Sequence, residues 1–255
     1  MPSFQLAREE QLYYRDRLRA ARYSALADAE GFGEICFALE ALGLRLTGKQ
    51  ATMGAYAKEI RLLAEASPLT SCLPHTSPGF FTRFDALYQT VNVARNDVMH
   101  TGAYARNATT AAIELCIGLE DALMQEAQRA REIVADFMVK APVVVEPWQP
   151  VAHVRQLMLM HSFTYLPVFL DEWKLVSELA MAKFLHKSPD RKSLLAVRID
   201  EAAKLGLDLV IATVVNPTDS VNDLLRVAQA GEPQLWLVLR SKNELCGVLS
   251  PFELM

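Results

Sequence analysis

The sequence lacks an excess of positive charge, a long apolar segment and closely spaced cysteines. Its 255 residues include 26 lysines and arginines against 30 aspartates and glutamates, a formal net charge of −4. This balance provides no global basic field, so it argues against a bulk DNA-binding protein, although a few arginines could still hold a few nucleotides. No uninterrupted apolar run approaches the roughly 20 residues of a membrane helix, so we expect no membrane segment.

The cysteines and the N-terminal sequence both favour a cytoplasmic protein. The cysteines (Cys36, Cys72, Cys116 and Cys246) lie far apart, so they are expected to be reduced thiols. Cys72 shares one segment with His75, but two candidate ligands do not make a zinc site, and we expect no metal. The start of the chain lacks the basic and then apolar pattern of a secretion signal. We therefore expect a cytoplasmic location.

The most informative feature is a repeat in the last third of the chain. Residues 144–147 (VVEP) recur as 214–217 (VVNP), 70 positions later, and segment 165–169 recurs as 235–239. A tandem unit of this kind is one supersecondary block used twice, in which each copy buries the open face of the other. Such a pair is usually a receptor for a small ligand, which indicates regulation rather than chemistry.

Each copy follows the order strand, helix, strand, strand, helix. In the first copy the β-branched run Val143–Val145 predicts the first strand, and Tyr165–Phe169 and Leu175–Val176 predict the other two. The second copy follows the same order from about residue 209, and 192–205 is predicted to be an amphipathic connector. Because strands and helices alternate, we expect an α/β unit with helices on the faces of its sheets.

The first part of the chain predicts helices only. Apolar residues recur there at helical spacing, and prolines among serines mark a loop over 67–79. Gly102 is expected to end the fourth helix, since glycine allows a left-handed cap. The predicted helices cover residues 5–29, 35–46, 51–65, 80–98 and 107–137.

These two patterns divide the chain. An all-α helical bundle is predicted over 1–135 and an α/β tandem over 136–255, with its copies at about 136–190 and 207–255. The predicted fold class is therefore α+β multidomain. Because the tandem indicates ligand reception, any reaction should be sought in the helical part.

The second copy ends with a glycine, a serine and a glutamate: Gly247, Ser250 and Glu253. The glycine is expected to let the strand turn tightly, and a hydroxyl and free N–H groups at a helix start suit a phosphate. A carboxylate one turn later can accept both ribose hydroxyls. With the βαββα order, this ending resembles a CBS domain, and the two copies resemble a tandem CBS pair (a Bateman module) over roughly 134–255. The resemblance implies an AMP-, ADP- or ATP-like regulatory ligand.

The resemblance also implies a place for each part of an adenine nucleotide. Ser250 would hold the phosphate. Glu253, which is one methylene longer than the aspartate of the family, would hold the ribose. The adenine would lie between backbone edges of strands, which implicates Thr213–Val215 and Leu235–Leu237.

The first copy departs from this pattern, with Lys174, Ser177 and Ala180 at the matching positions. Because Ala180 removes the carboxylate and Ser177 alone cannot define a ribose site, we expect this site to be weak or empty, although Lys174 could serve a phosphate. The alternative is that the whole tandem is a packing and dimerisation platform. Ser250 would then be a helix N-cap, and Glu253 a favourable charge in the first turn.

The end of the fourth predicted helix carries Arg95, Asn96 and His100 in the run RNDVMH. This run resembles the RxxxxH motif of HEPN domains, and the all-helical character of 1–135 agrees with that family. The resemblance implies a metal-independent ribonuclease that uses the 2′-hydroxyl of RNA as its nucleophile. His100 would transfer a proton and Arg95 would neutralise charge on the phosphoryl group. Asn96 would orient the histidine or the phosphate.

The motif also implies a homodimer. Residues five apart on a helix differ by about 140° around its axis, so Arg95 and His100 do not share a face. Two copies across a two-fold axis would bring two arginines and two histidines to one cleft. The alternative is that Arg95 is a solvated helix charge and that His100 is favoured by the helix dipole.

Aromatic and arginine side chains occur together in the first predicted helix. They could stack on single-stranded RNA and neutralise it. Nearby Glu9, Glu10 and Asp16 dilute this charge, so a solvated or dimer-facing helix is the expected role. The side chains concerned are Tyr13, Tyr14, Arg15, Arg17, Arg19 and Arg22.

Three functions are compatible with these features. The leading hypothesis is a cytoplasmic dimer, or dimer of dimers, in which the CBS pair senses an adenine nucleotide and gates a HEPN ribonuclease through the helix 107–137. The second is a non-enzymatic nucleotide sensor whose helical half dimerises or docks a partner protein. The third is a purely structural dimer, which predicts neither ligand nor cleavage.

Overall fold

The computed structural model describes residues 6–28, 31–96, 102–127, 133–187, 190–232, 234–241 and 243–255; in 102–127, side chains are described from 106 to 125. These residues form two compact units that divide between Ala130 and Arg131. The described part of the first unit is helical, and the second combines helices with two sheets. Within the described ranges, no helix is both long and apolar enough to cross a membrane.

The first unit is built from an amphipathic helical bundle. Its largest helix–helix contacts join α1 to α2 and α6, and α5 to α6. One continuous core includes Leu18, Ile35, Leu39, Val91 and Leu115, all fully buried. The helices are α1 (Arg8–Ala27), α2 (Phe32–Thr47), α3 (Met53–Ala64), α4 (Leu73–Thr76), α5 (Phe84–Asn96) and α6 (Gly102–Ala127).

The second unit contains the two predicted copies. The first comprises α7 (Val134–Phe137), β1 (Val139–Lys140), α8 (Val151–His161), β2 (Tyr165–Phe169), β3 (Trp173–Ser177) and α9 (Glu178–Leu185). The connector forms α10 (Arg191–Ala196) and α11 (Ile199–Lys204). The second comprises β4 (Leu209–Ile211), β5 (Thr213–Val215), α12 (Val221–Val227), β6 (Trp236–Ser241), β7 (Glu244–Leu249) and a 3₁₀ turn, Pro251–Leu254.

The two copies exchange edge strands. β4, which opens the second copy, pairs antiparallel with β3 of the first, and places Ile211 opposite Lys174. β1, from the start of the first copy, pairs antiparallel with β7 of the second, and places Lys140 opposite Gly247. The sheets therefore have the orders β2-β3-β4 and β1-β7-β6-β5, with β5 parallel to β6. Each sheet is completed by a strand from the other copy.

Helices cover one face of each sheet, as predicted. Val176 of β3 packs in a buried cluster with Phe184 of α9, and Val238 of β6 packs in another with Leu224 of α12. A third cluster joins the two sheets directly. Its buried members are Leu175 of β3, Leu237 of β6, and Ala212, which lies between β4 and β5. The sheets thus face each other on the side away from their helices.

A buried ion cluster holds α1 against α6. Glu120 is 7% exposed and accepts hydrogen bonds from Arg22 Nε (2.8 Å) and Nη2 (3.0 Å), while Arg19 Nε lies 3.5 Å from the same carboxylate. Burial opposes the charge of Arg22, but its hydrogen bond to Glu120 and the charge of that residue raise the pKa of Arg22. Arg15 is 1% exposed and contacts Met124 Sδ at 3.1 Å. The expectation of a solvated helix is therefore wrong for these arginines, because they pack against α6 within the bundle. The alternative of a dimer-facing helix stays a prediction.

Two helix boundaries differ from the prediction. Gly102 does not end a helix but is the first residue of α6, and residues 97–101 lie outside the described ranges. The predicted helix 107–137 is not one element. Ile133 has an extended backbone (φ −108°, ψ 156°) and forms an antiparallel bridge with Ser220, so α7 is a separate helix. The prediction of a single helix over 107–137 that ends at the first strand is therefore wrong.

Two further segments are more broken than the sequence predicted. Instead of the predicted strand 143–145, Val145 makes a single parallel bridge, with Val168. Ala141, with a positive φ of 53°, lies between β1 and Val145. The connector is interrupted between α10 and α11. There Val197 has an extended backbone (φ −66°, ψ 141°), and its carbonyl accepts a hydrogen bond from the first residue of α8 (2.8 Å).

Gly247 serves close packing rather than a tight turn. It lies inside β7, so the expectation of a turn there is wrong. A Cβ at this position would lie 2.7 Å from Met138 Sδ and 3.0 Å from the Val139 carbonyl oxygen, which belongs to β1. The exchanged strand can therefore approach β7 because this residue has no side chain.

The buried ion cluster predicts a large difference between two neutralising substitutions. Glu120→Gln should destabilise the helical unit by about 3–5 kcal/mol, because it leaves buried arginine charges without their carboxylate. Asp85→Asn is the control, since Asp85 pairs with Arg61 at the surface and exposed pairs contribute about 0–1 kcal/mol. Urea unfolding followed by far-ultraviolet circular dichroism measures both. Equal effects would contradict a stabilising role for the buried cluster.

Candidate functional site

The candidate nucleotide site of the second copy lies at one end of the four-stranded sheet. Thr213, Trp236 and Leu249 are register neighbours across β5, β6 and β7. β5 and β6 begin at this row and β7 ends at it, so Ser250 follows directly beyond the sheet. The fold therefore places Thr213 and Ser250 at the same end of the sheet.

Ser250 and Glu253 are hydrogen-bonded to each other. Ser250 donates its backbone N–H (2.8 Å) and its hydroxyl (2.6 Å) to Glu253 Oε2. Its Oγ also accepts a hydrogen bond from the N–H of Phe252 at 3.3 Å, which caps the 3₁₀ turn. The helix-cap interaction named as the alternative is thus confirmed. A phosphate would have to replace the carboxylate on the Ser250 donors, after which the carboxylate could turn to a ribose.

Strand β5 presents backbone groups for a flat ligand. It is the last strand of its sheet, and among the described residues its second edge pairs with no strand. Thr213 and Val214 are exposed, whereas Val215 is 7% exposed and packs in the helix-side core. The N–H and C=O groups of this edge can therefore bond a purine, while the Val215 side chain contributes to the fold.

On the neighbouring strand, few of the predicted adenine contacts have accessible side chains. Trp236 and Leu237 are buried in the cores on the two faces of β6. Leu235 is partly exposed at the edge of the cluster between the sheets. Of the segment Leu235–Leu237, Leu235 thus offers the accessible apolar surface.

The first copy keeps the serine but not the acid. Ser177 accepts a hydrogen bond from Ala180 N at 3.0 Å and caps α9. A buried alanine, Ala180, stands where the second copy has the carboxylate of Glu253. Lys174 Nζ lies 3.6 Å from Glu172 Oε1. The prediction that this site is weak or empty rests on these differences.

In the helical unit, the structure describes two of the three predicted catalytic residues. Asn96 is exposed at the last position of α5, and Arg95 is partly buried. Arg95 Nη2 forms an ion pair with Glu40 Oε1 of α2. His100 lies outside the described residues, so its relation to Arg95 stays a prediction. Sequence analysis missed Glu40, since nothing in the sequence pairs two residues so far apart.

Burial disfavours the reactive thiolate form of Cys36, which lies on α2 near this ion pair. Burial raises its pKa to about 11, although the charge of Arg95 acts to lower it. The thiolate is the reactive form of cysteine, and burial in apolar surroundings makes a thiol inert. Cys36 is therefore a poor candidate for a nucleophile at this end of α5.

Comparison with known proteins finds similarity for the C-terminal half only at the level of solved structures. No protein-family model and no curated protein matches the chain. Structures of CBS-domain pair proteins match about half of the chain, in its C-terminal part.

In three examples, the matched region covers most of the neighbour's own chain. A putative acetoin utilization protein (AcuB) from Vibrio cholerae is 15% identical, with a TM-score of 0.41, over 49% of this chain and 88% of that one. CBSX2 in complex with AMP is 20% identical, with a TM-score of 0.38, over 48% and 91%. The CBS domain pair of protein MJ0100, in complex with 5′-methylthioadenosine and S-adenosyl-L-methionine, is 11% identical, with a TM-score of 0.37, over 49% and 94%.

Proposed function

We propose that this protein is a cytoplasmic regulator that binds an adenine nucleotide in its tandem, at the second copy. The observation that carries the proposal is that Thr213, at the start of β5, and Ser250 with its bonded Glu253, just beyond β7, lie at the same end of one sheet. Base, phosphate and ribose would each find a partner of suitable chemistry there. The cysteines are free thiols, which suits a reducing compartment.

Binding would proceed as an exchange of hydrogen bonds. The phosphate takes the Ser250 N–H and hydroxyl, both now donated to Glu253 Oε2. The released carboxylate accepts the two ribose hydroxyls, which are donors. The base lies along β5, where backbone groups can both donate and accept. Charge-assisted hydrogen bonds of this kind are stronger than neutral ones, so they would supply much of the affinity.

AMP, ADP, ATP or S-adenosylmethionine should raise the melting temperature with increasing concentration, because a ligand that binds only the folded state stabilises it. Glu253→Ala should weaken binding by about 1–3 kcal/mol, the scale of lost hydrogen bonds to a charged group. Calorimetric titration measures the affinity.

Asp190→Ala is the matched control for Glu253→Ala. Asp190 is also a carboxylate that accepts hydrogen bonds from the backbone N–H and hydroxyl of a nearby serine, Ser193, but it caps α10 in the connector. Loss of a cap alone should therefore leave affinity unchanged. If none of the four ligands shifts melting at millimolar concentration, the sensor function is excluded.

We further propose that the helical unit (1–135) is HEPN-like and cleaves RNA without metal as a homodimer, through Arg95, Asn96 and His100. The observation that favours it is the exposed position of Asn96 beside the partly exposed Arg95 at one end of α5. Arg95 would have to leave Glu40, or share it, to reach a phosphate. The competing function keeps this ion pair as a structural contact and uses the helical unit to dimerise or to dock a partner protein.

Purified protein should cleave single-stranded RNA in EDTA and leave cyclic phosphate ends. His100→Ala should reduce the rate by roughly 10²–10⁴-fold, since it removes the proton-transfer group. Arg95→Ala should cost a similar factor, and Asn96→Ala less. Glu40→Gln should preserve or raise activity, because it frees Arg95 for the phosphate. Denaturing gels of labelled RNA measure the rates.

The matched control for His100→Ala is His75→Ala, which removes an exposed histidine on α4 and should leave cleavage unchanged. Cleavage that survives His100→Ala would refute the assigned site. Absence of cleavage by the unaltered chain, with or without nucleotide, would favour the non-enzymatic sensor.

Light scattering that finds a monomer at micromolar concentration would exclude the composite cleft. A nucleotide can regulate cleavage only if it binds one arrangement of the protein more tightly than the other.

A further inference from the structure

The cluster between the two sheets contains a buried hydrogen-bond donor with no acceptor. Among the side chains that the structure describes, the indole nitrogen of Trp173 is the buried polar atom that lacks a hydrogen-bond partner. A buried donor left unpaired costs free energy, and native structures pair almost all such groups. An orphaned donor therefore requires an explanation from its surroundings.

Trp173 belongs to the first copy but lies beside the second copy's candidate site. It is the first residue of β3, and its carbonyl accepts a hydrogen bond from Ala212 N at 3.0 Å. Thr213, which opens β5, follows Ala212 directly in the chain. The Trp173 ring packs against the cluster of Leu175, Ala212 and Leu237, and Leu237 is the register partner of Val214 in β5. Trp173 and β5, the strand proposed to bind the base, therefore lie next to each other at one end of the cluster.

The surroundings of the ring are apolar and incompletely closed. The residues that edge the cluster beside Trp173 are partly exposed; they are Tyr165, Leu235, Leu245 and Val248. Phe169 contacts the indole edge-on, with ring centroids 5.2 Å apart. A flat, largely apolar ligand could therefore enter by displacing an edge side chain, and it would meet one fixed N–H donor.

We propose that the indole N–H of Trp173 reads the base of a ligand in the second copy's site, by donating a hydrogen bond to a ring nitrogen. This inference rests on the proposed nucleotide binding and adds a specificity-determining residue from the other copy. A purine offers unprotonated ring nitrogens as acceptors within an apolar plane, which matches a single donor in an apolar cluster. A site built this way favours a base with an acceptor at that point over an isosteric base without one, because the mismatch would leave a buried donor unpaired.

The test combines a conservative substitution with altered ligands. Trp173→Phe keeps an aromatic ring but removes the N–H, and Trp148→Phe is the control, since Trp148 is 61% exposed. The full-length chain is titrated calorimetrically with AMP and with its 1-deaza, 3-deaza and 7-deaza analogues, each of which replaces one ring nitrogen by C–H. For the unaltered chain, one analogue should bind about 10-fold more weakly than AMP, the scale of a lost buried hydrogen bond.

Trp173→Phe should weaken AMP binding by a similar factor and should abolish the discrimination against that one analogue, while Trp148→Phe changes neither. Equal binding of AMP and all three analogues by the unaltered chain overturns the inference, and this result does not depend on whether the variant folds. AMP affinity unchanged in a folded Trp173→Phe also overturns it. Failure of the unaltered chain to bind AMP overturns this inference, whereas the proposed function fails only if ADP, ATP and S-adenosylmethionine also do not bind.

Discussion

The exchange of β1 and β4 between the copies is the constraint on which the C-terminal unit depends. Without β4, the outer edge of β3 would present unpaired N–H and C=O groups, and without β1 the same holds for β7. Unpaired sheet edges are costly when buried and prone to wrong pairing when exposed. Each copy therefore completes the other, and we infer that the two fold together rather than as separate domains.

The same exchange positions the candidate site. β4 ends at Ile211 and β5 begins at Thr213, so the chain passes from one sheet to the other within a single buried residue, Ala212. That short crossing sets Thr213 beside Trp173 of the first copy. Trp173 of the first copy therefore lies beside the start of β5, whereas Ser250 and Glu253 both come from the second copy.

In the helical unit, more of the arginines form ion pairs between helices than the sequence suggested. Arg22 and Arg19 contact Glu120, and Arg95 pairs with Glu40. All of these arginines were candidates for contact with RNA when considered only along the chain. A guanidinium can bridge helices because it offers several donors in one plane. Long-range ion pairs therefore decide which charges remain available to a ligand, and Asn96 is the described motif residue left exposed.

The sequence by itself determined the helical character of the first part, the repeat and the order of elements in the second, because apolar periodicity and tandem similarity are local properties of a chain. It also determined that Ser250 and Glu253 stand one turn apart. Only the tertiary structure decided the exchange of strands, the break at Ile133 and the partner of Arg95, since each depends on backbone or side-chain groups far apart in the chain. Gly247 illustrates this difference. The sequence shows that the residue has no side chain, but only the structure shows why: β1 packs closely against β7 at this position.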